Sequence, residues 1–312
     1  MRTSRGTRRA RSVREAVVPV RPPYRLDLTA VVLRRLSTNV VDVFDGTSYR
    51  RLLGDPMSPT LLSVEQAAPD ALAVRLDGPG ADAFEPVALV SRMLGTGVDL
   101  SAFYAGAASV PWLDRIAVAA HGVKPPRYPS LWETVCNAVV YQQVSIHAAG
   151  AILRRVIERH AVPVEENGAR LFAFPEPRTL LDADPLELRS AGLSVNKINA
   201  LKAVGAAIES GELGESQLEP LSTPDLIAAL VAHKGIGPWT GAVVALRGFG
   251  RLDVFPMNDS GAEAGLRKLS GDLNVRVEPI IAALSPQQGM LYYHLLLGRL
   301  DESGEISLGT RG

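Results

Sequence analysis

The sequence predicts an α+β protein: a small N-terminal antiparallel α/β domain followed by an all-helical region. Three observations point there. Leu26-Asp-Leu-Thr-Ala-Val-Val and Ala71-Leu-Ala-Val-Arg-Leu-Asp carry their apolar residues in strand fashion, alternating or in a short run. From Trp112 onward that pattern gives way to helical spacing. Inside the helical part, Gly235-Ile-Gly237 makes a tight turn between two apolar-periodic segments.

In chain order, residues 1–23 form an Arg-rich arm, beginning Met1-Arg-Thr-Ser-Arg-Gly-Thr-Arg-Arg-Ala-Arg. Composition reads it as disordered, with a DNA-binding arm and a transit peptide as the other readings. Residues 24–111 form the mixed domain, where Gly78-Pro-Gly80 punctuates a turn before a helical segment over 82–94. Residues 112–301 form the helical region. Helical spacing covers 131–159, 185–191, 195–210, 223–233, 239–248, 260–269 and 286–300, and Gly, Pro, Asn or Asp separates most of these segments. Residues 302–312 read as a frayed tail.

Composition removes several function classes. Hydrophobic residues at 46% suffice for cores, while aromatics at 5% leave few rings for binding. One cysteine, Cys136, lies in an apolar helical stretch and reads as a small core residue. It allows neither an internal disulfide nor an iron–sulfur cluster. The histidines at 121, 147, 160, 233 and 294 lack metal-ligand spacing, so no metal site is expected. There is no apolar signal core and no membrane-length apolar run, which predicts a cytoplasmic protein without a membrane partner. The 33 basic and 33 acidic residues cancel. A nucleic-acid contact would then rest on local charge and on backbone N–H donors.

The most informative stretch runs from Leu230 to Leu246 through Lys234-Gly-Ile-Gly-Pro-Trp-Thr240, followed by Asp253-Val-Phe-Pro-Met-Asn-Asp259. Glycines at 235 and 237 let backbone N–H groups turn outward at the start of a helix, which suits a phosphate. By the residues alone, Asp259 reads as an N-cap, with Ser260-Gly-Ala-Glu263 as the first turn of its helix.

Further segments accompany this stretch. They are Val43-Phe-Asp-Gly-Thr-Ser-Tyr-Arg50, Pro126-Arg-Tyr-Pro-Ser-Leu-Trp-Glu-Thr-Val135, Val140-Tyr-Gln-Gln-Val-Ser145, Leu188-Arg-Ser-Ala-Gly-Leu-Ser-Val-Asn-Lys197 and Gly289-Met-Leu-Tyr-Tyr-His-Leu-Leu-Leu297. In order and spacing they resemble the helix-hairpin-helix base-excision DNA glycosylases, and within them the DNA-3-methyladenine glycosylase II family. The likeness covers roughly residues 24 to 300 and places the helix-hairpin-helix at about 226–248.

The resemblance implies a monofunctional glycosylase that flips alkylated purines from duplex DNA and hydrolyses the N-glycosidic bond, acting as a monomer in base excision repair. Other readings are a glycosylase for hypoxanthine or uracil, and a non-catalytic DNA-binding or regulatory protein. Asp259 takes the catalytic position, either stabilising the oxocarbenium-like state or activating water. Trp239 stands where strand-cutting relatives hold a lysine, so no lyase amine is expected. Trp239, Tyr141, Val243 and Leu296 would line the base pocket; Trp239 and the tyrosines also read as core aromatics. Gln143, with Gln142, would plug the gap left by the flipped nucleotide, against a reading as exposed helix-end amides. Ser145, Lys197, Lys234, Gly235, Ile236, Gly237 and Thr240 complete the implied DNA contacts. No cofactor is implied beyond a structural monovalent cation at the hairpin carbonyls.

Two departures stand out. Asn258 replaces a second Asp that relatives often carry, which leaves one fewer negative charge beside Asp259. Val243 and Leu295-Leu-Leu297 fall where relatives hold rings, which weakens cation–π selection for N3- or N7-alkylated purines.

Overall fold

A computed structural model describes residues 12–309. Residues 1–11 of the Arg-rich arm and residues 310–312 lie outside the described residues. The first half of the fold holds strand Ser12–Pro19 (β1), helix Leu26–Arg34 (α1), strands Val43–Phe44 (β2), Ser48–Leu53 (β3), Thr60–Ala68 (β4) and Ala71–Gly78 (β5), then helix Pro86–Leu94 (α2). The strands form one antiparallel sheet in the order β1-β5-β4-β3-β2.

Two expectations fail here. Residues 12–19 were counted with the disordered arm, yet β1 pairs with β5 from Ser12↔Gly78 to Pro19↔Ala71. Its inward face offers only Ala16 and Val18 as apolar residues, and Arg14 anchors it on the Phe84 carbonyl and Glu85. Backbone pairing and that anchor hold a strand whose apolar signal is weak. Residues 26–32 were read as a strand and form α1. Leu26, Ala30 and Leu33 face the core under the sheet, while Leu28, Val31 and Val32 face a helical core. A helix buried on two sides loses its polar stripe, so its sequence mimics a buried strand.

The helical half continues with Ser101–Ala107 (α3), Pro111–Ala119 (α4), Leu131–Tyr141 (α5) and Ile146–His160 (α6). Strands Pro163–Glu166 (β6) and Ala169–Phe172 (β7) follow, then Pro177–Asp182 (α7), Pro185–Ser190 (α8), Val195–Glu209 (α9) and Glu215–Leu218 (α10). Thr223–Val231 (α11), Pro238–Phe249 (α12), Ser260–Ser270 (α13), Val277–Ala283 (α14) and Gly289–Ser303 (α15) complete it. The region is therefore not all-helical. Asn167 and Gly168, at φ 49° and 77°, make the two-residue turn that closes the β6–β7 hairpin. The segment over 131–159, read as continuous, breaks between α5 and α6. The expected tail is also docked over its described part. Ile306 and Leu308 pack on a helical core, and the Leu308 N–H donates to Asp301 Oδ1 at 2.8 Å.

The helices bury two cores. One gathers α5, α6, α8, α9, α11 and α12; the other gathers α1, α3, α4, α13 and α15. A buried ionic trio ties sheet to helices: Arg51 of β3 meets Asp42 at 2.8 Å and Glu133 of α5 at 2.7 Å. Cys136 is buried on α5. Among the described residues, no helix is long and apolar enough to cross a membrane.

Candidate functional site

The turn between α11 and α12 shows what each glycine is for. Gly235 sits at φ +93°, and a Cβ there would fall 2.2 Å from Ala200 Cβ on α9. Its close approach is to protein. Gly237 has φ −91° as the N-cap of α12, and a Cβ there meets nothing within 4 Å. Ile236, expected to donate to DNA, is buried and spends its N–H on the His233 carbonyl at 3.1 Å. The N–H groups of Gly235 and Gly237 have no partner among the described residues. Those two donors, at the entry to a helix, suit an anion. Lys234 is exposed beside them.

Several residues expected at DNA make hydrogen bonds that brace the protein itself. Gln142 Nε2 donates to Thr240 Oγ1 at 2.7 Å and to the Gly235 carbonyl at 3.4 Å, joining the α5–α6 loop to the hairpin. Thr240 is buried. Lys197 Nζ donates to the Val140 and Gln142 carbonyls at 2.8 and 2.9 Å, closing the C-terminal end of α5. Burial lowers its pKa. Ser145 caps α6 through its Oγ, which accepts from Ala148 N–H at 3.2 Å. Gln143 is left exposed at φ +54°, on the loop the braces hold. This is the position from which a side chain can project.

Asp259 caps a helix, as its residues alone suggest, and also lines the pocket. Oδ1 accepts from Ala262 N–H at 2.7 Å and caps α13. Oδ2 accepts from Trp239 Nε1 at 3.0 Å and from the Tyr292 hydroxyl at 3.3 Å. Burial, then the charge of Asp259, pushes the Tyr292 phenol above its ordinary range, so it stays a donor. Asn258 stands at φ +61°, a left-handed conformation that Asn tolerates well; backbone geometry gives it a task apart from charge.

Asp259 opens on a pocket of about 980 Å³ at the seam between the two helical cores. Tyr141, Trp239 and Leu296 line it as expected. Val243, expected there too, is 1% exposed inside the first core, because α12 turns that face toward α5. Among the lining residues that the sequence did not mark are two arginines, Arg35 and Arg299. Arg299 Nη1 donates to the Gly261 carbonyl at 3.0 Å. Arg35 follows α1 at φ +64°, and its guanidinium carbon stands 3.9 Å from the centroid of the Tyr141 ring. An Arg-Arg pair closing an apolar run was the only trace of it in the sequence.

Such a site can receive a flat group, set a carboxylate against developing positive charge, and hold a phosphate at its rim. The model of the "HhH-GPD superfamily base excision DNA repair protein" family matches residues 136–278, which include the loop, the hairpin and Asp259. Over that segment the chain is similar to this helix-hairpin-helix superfamily of base excision DNA repair proteins. It is similar to a "Probable bifunctional transcriptional activator/DNA repair enzyme AlkA" of Mycobacterium tuberculosis, 30% identical over 81% of this chain and 50% of that one. A Bacillus subtilis "DNA-3-methyladenine glycosylase" is 28% identical over 52% of this chain and 54% of its own. The chain thus spans about half the length of these curated relatives. In fold it resembles a 3-methyladenine DNA-glycosylase from Archaeoglobus fulgidus, with TM-score 0.72 and 20% identity over 91% of this chain and 98% of that one.

Proposed function

We propose that this chain is a monofunctional DNA glycosylase that flips a damaged, alkylated purine out of duplex DNA and hydrolyses its N-glycosidic bond. The observation that carries the reading is the Trp239–Asp259 hydrogen bond at the pocket. As the bond to the base breaks, positive charge grows on the deoxyribose, and the Asp259 carboxylate stabilises it. Oδ1 is held by the helix cap, and Oδ2, aimed by Trp239 and Tyr292, meets the sugar or orients the attacking water. Water adds at C1′ and loses a proton, and the base departs with a proton, leaving an abasic site.

Gly235 and Gly237 N–H groups hold a phosphate, Lys234 adds charge near it, and Gln143 fills the vacated stack. Names of the similar proteins support the class of reaction. Among the described residues, no group of three or more His, Cys, Asp or Glu could hold a metal ion. An alkali cation would draw on main-chain carbonyls of the hairpin, hard oxygen donors that suit it. The Gly235 and His233 carbonyls already accept hydrogen bonds, and the cation would share them.

A base-release panel tests the reading, using defined duplexes with one alkylated, deaminated or undamaged purine under single-turnover conditions. Release from a damaged duplex alone is the expected result. A protein that binds every duplex and releases nothing is a binding module.

A further inference from the structure

At the start of α12, Gly237 presents a free N–H and Trp239 holds Asp259. About 12 Å further along that helix stands a residue that neither task explains. Arg247 is fully buried, pairs with no carboxylate among the described residues, and leaves Nε and Nη1 without partners there. Its guanidinium carbon lies 4.9 Å from the centroid of the Tyr128 ring and 5.7 Å from that of Tyr293. Only Nη2 is hydrogen-bonded, and it donates to the carbonyls of Val32 and Leu33 at 2.9 and 3.3 Å. For stability alone, a buried guanidinium gains most from a carboxylate that satisfies its donors. This one is committed to the end of another helix.

The last carbonyls of a helix lack intrahelical partners, and that end carries partial negative charge that suits a cation. At the end of α1 each is occupied. Arg35 N–H donates to Val31 at 2.8 Å, Arg247 serves Val32 and Leu33, and Leu36 N–H and Asn39 Nδ2 serve Arg34 at 2.8 and 3.0 Å. The chain then turns sharply, with Arg35 at φ +64°, a conformation that persists only where the surroundings over-determine it. The turn delivers Arg35 to the pocket and onto one face of Tyr141, 3.9 Å from the ring centroid.

Three rings line the pocket: Tyr141, Trp239 and Tyr292. Trp239 and Tyr292 are tied to Asp259. Tyr141 depends on Arg35 instead. Burial raises its phenol pKa, and the charge and hydrogen bond of the guanidinium pull against the rise.

We propose that Arg247 is a positioning residue for the site: from the hairpin helix it pins the end of α1, and so sets Arg35 against Tyr141 as one wall of the pocket. One helix then carries the donors assigned to phosphate, the indole that aims the carboxylate, and the pin for a wall supplied by the N-terminal domain. The effect on rate rests on the glycosylase reading. The pin itself is a property of the free protein.

The test reads the wall directly. In the full chain, Tyr141→3-fluorotyrosine gives a fluorine NMR resonance that reports what lies on the ring. Arg35→Ala should shift it, and Arg247→Met should shift it to the same place, with no further change when the two are combined. Arg247→Gln, too short to reach α1, gives the same reading where Arg247→Met folds poorly. In the unlabelled protein, single-turnover release from a damaged duplex should slow about tenfold in each single variant and no further in the double one. A resonance unmoved by Arg247→Met and Arg247→Gln overturns the inference. So does one moved elsewhere with a lowered Tm, a pair of effects that add, or the expected shift with release unchanged from wild type. The expected shifts in a protein whose wild type releases no base keep the pin and sink the glycosylase reading.

Discussion

Trp239 Nε1 donates to Asp259 Oδ2 at 3.0 Å, so the residue opening α12 aims the carboxylate that opens α13. Two helix starts meet at one hydrogen bond. Neither helix alone would fix the carboxylate, because the cap uses Oδ1 and leaves Oδ2 to be held from across the seam.

Asp259→Asn should lower single-turnover base release on the order of 10²–10³-fold while duplex affinity stays level or rises. Asn is a good N-cap, so α13 should persist in circular dichroism. Near-wild-type release would remove Asp259 from the chemistry.

Trp239→Phe removes the indole donor and keeps the ring's bulk. Asp259 then retains Ala262 N–H and the Tyr292 hydroxyl. Release should slow about tenfold, the value of one hydrogen bond to a charged acceptor, with little change in binding. If binding falls and the rate does not, Trp239 acts on the base or the fold and leaves the carboxylate alone.

The two hairpin glycines should behave differently. Gly235→Ala meets Ala200 and a positive φ, and should cost about 2–4 kcal/mol of stability, read as a lowered Tm. Gly237→Ala has open space and an ordinary φ, so Tm should hold. Its affinity for any duplex, damaged or not, should fall severalfold by anisotropy. Unchanged affinity would make the turn a plain connector.

Borohydride should trap no covalent protein–DNA adduct on a damaged duplex, and the strand should break only after alkali. Lys234 does not line the pocket, and Lys197, which does, has Nζ committed to two carbonyls. A stoichiometric adduct lost in Lys197→Gln would identify a lyase amine.

His294 gives the fold an acid limit. Its Nδ1 pairs with the Met290 carbonyl at 2.8 Å, its ring centroid lies 4.5 Å from that of Phe103, and Nε2 is buried without a partner among the described residues. Burial lowers its pKa from 6.5 to about 4, against the pull of that carbonyl. Between those values the unfolded chain binds the proton that the folded chain refuses. Stability from this site is therefore complete above pH 6.5 and falls as pH drops toward 4, by about 3 kcal/mol in all. Melting His294→Leu beside wild type at pH 7.5 and 4.5 isolates that step. Equal acid losses in both proteins would refute it.

The sequence carried the parts of the site that local chemistry dictates. Gly235 and Gly237 marked the turn and Asp259 marked a helix start, while Ser145, the cap of α6, lay unread inside a segment taken as one helix and Asn167-Gly168 went unread as a hairpin turn. Position 259 was legible because its spacing from Trp239 matched a known family.

What lay beyond the sequence depended on which face of an element meets which neighbour. Leu26–Arg34 was misread because it is buried on two sides, and such a helix has no polar stripe to reveal its period. Val243 was placed in the pocket and turned into the core, while Lys197 and Gln142 became braces. Arg35 entered the pocket from the N-terminal domain, far along the chain from Tyr141 and Asp259. Its charge shapes the site only because α1 ends at the seam. Sequence alone determined the turn at Gly235-Ile-Gly237 and the helix cap at Asp259, since each is set within a few residues. Tertiary packing decided the pocket's lining and net charge, because these come from segments joined only by burial.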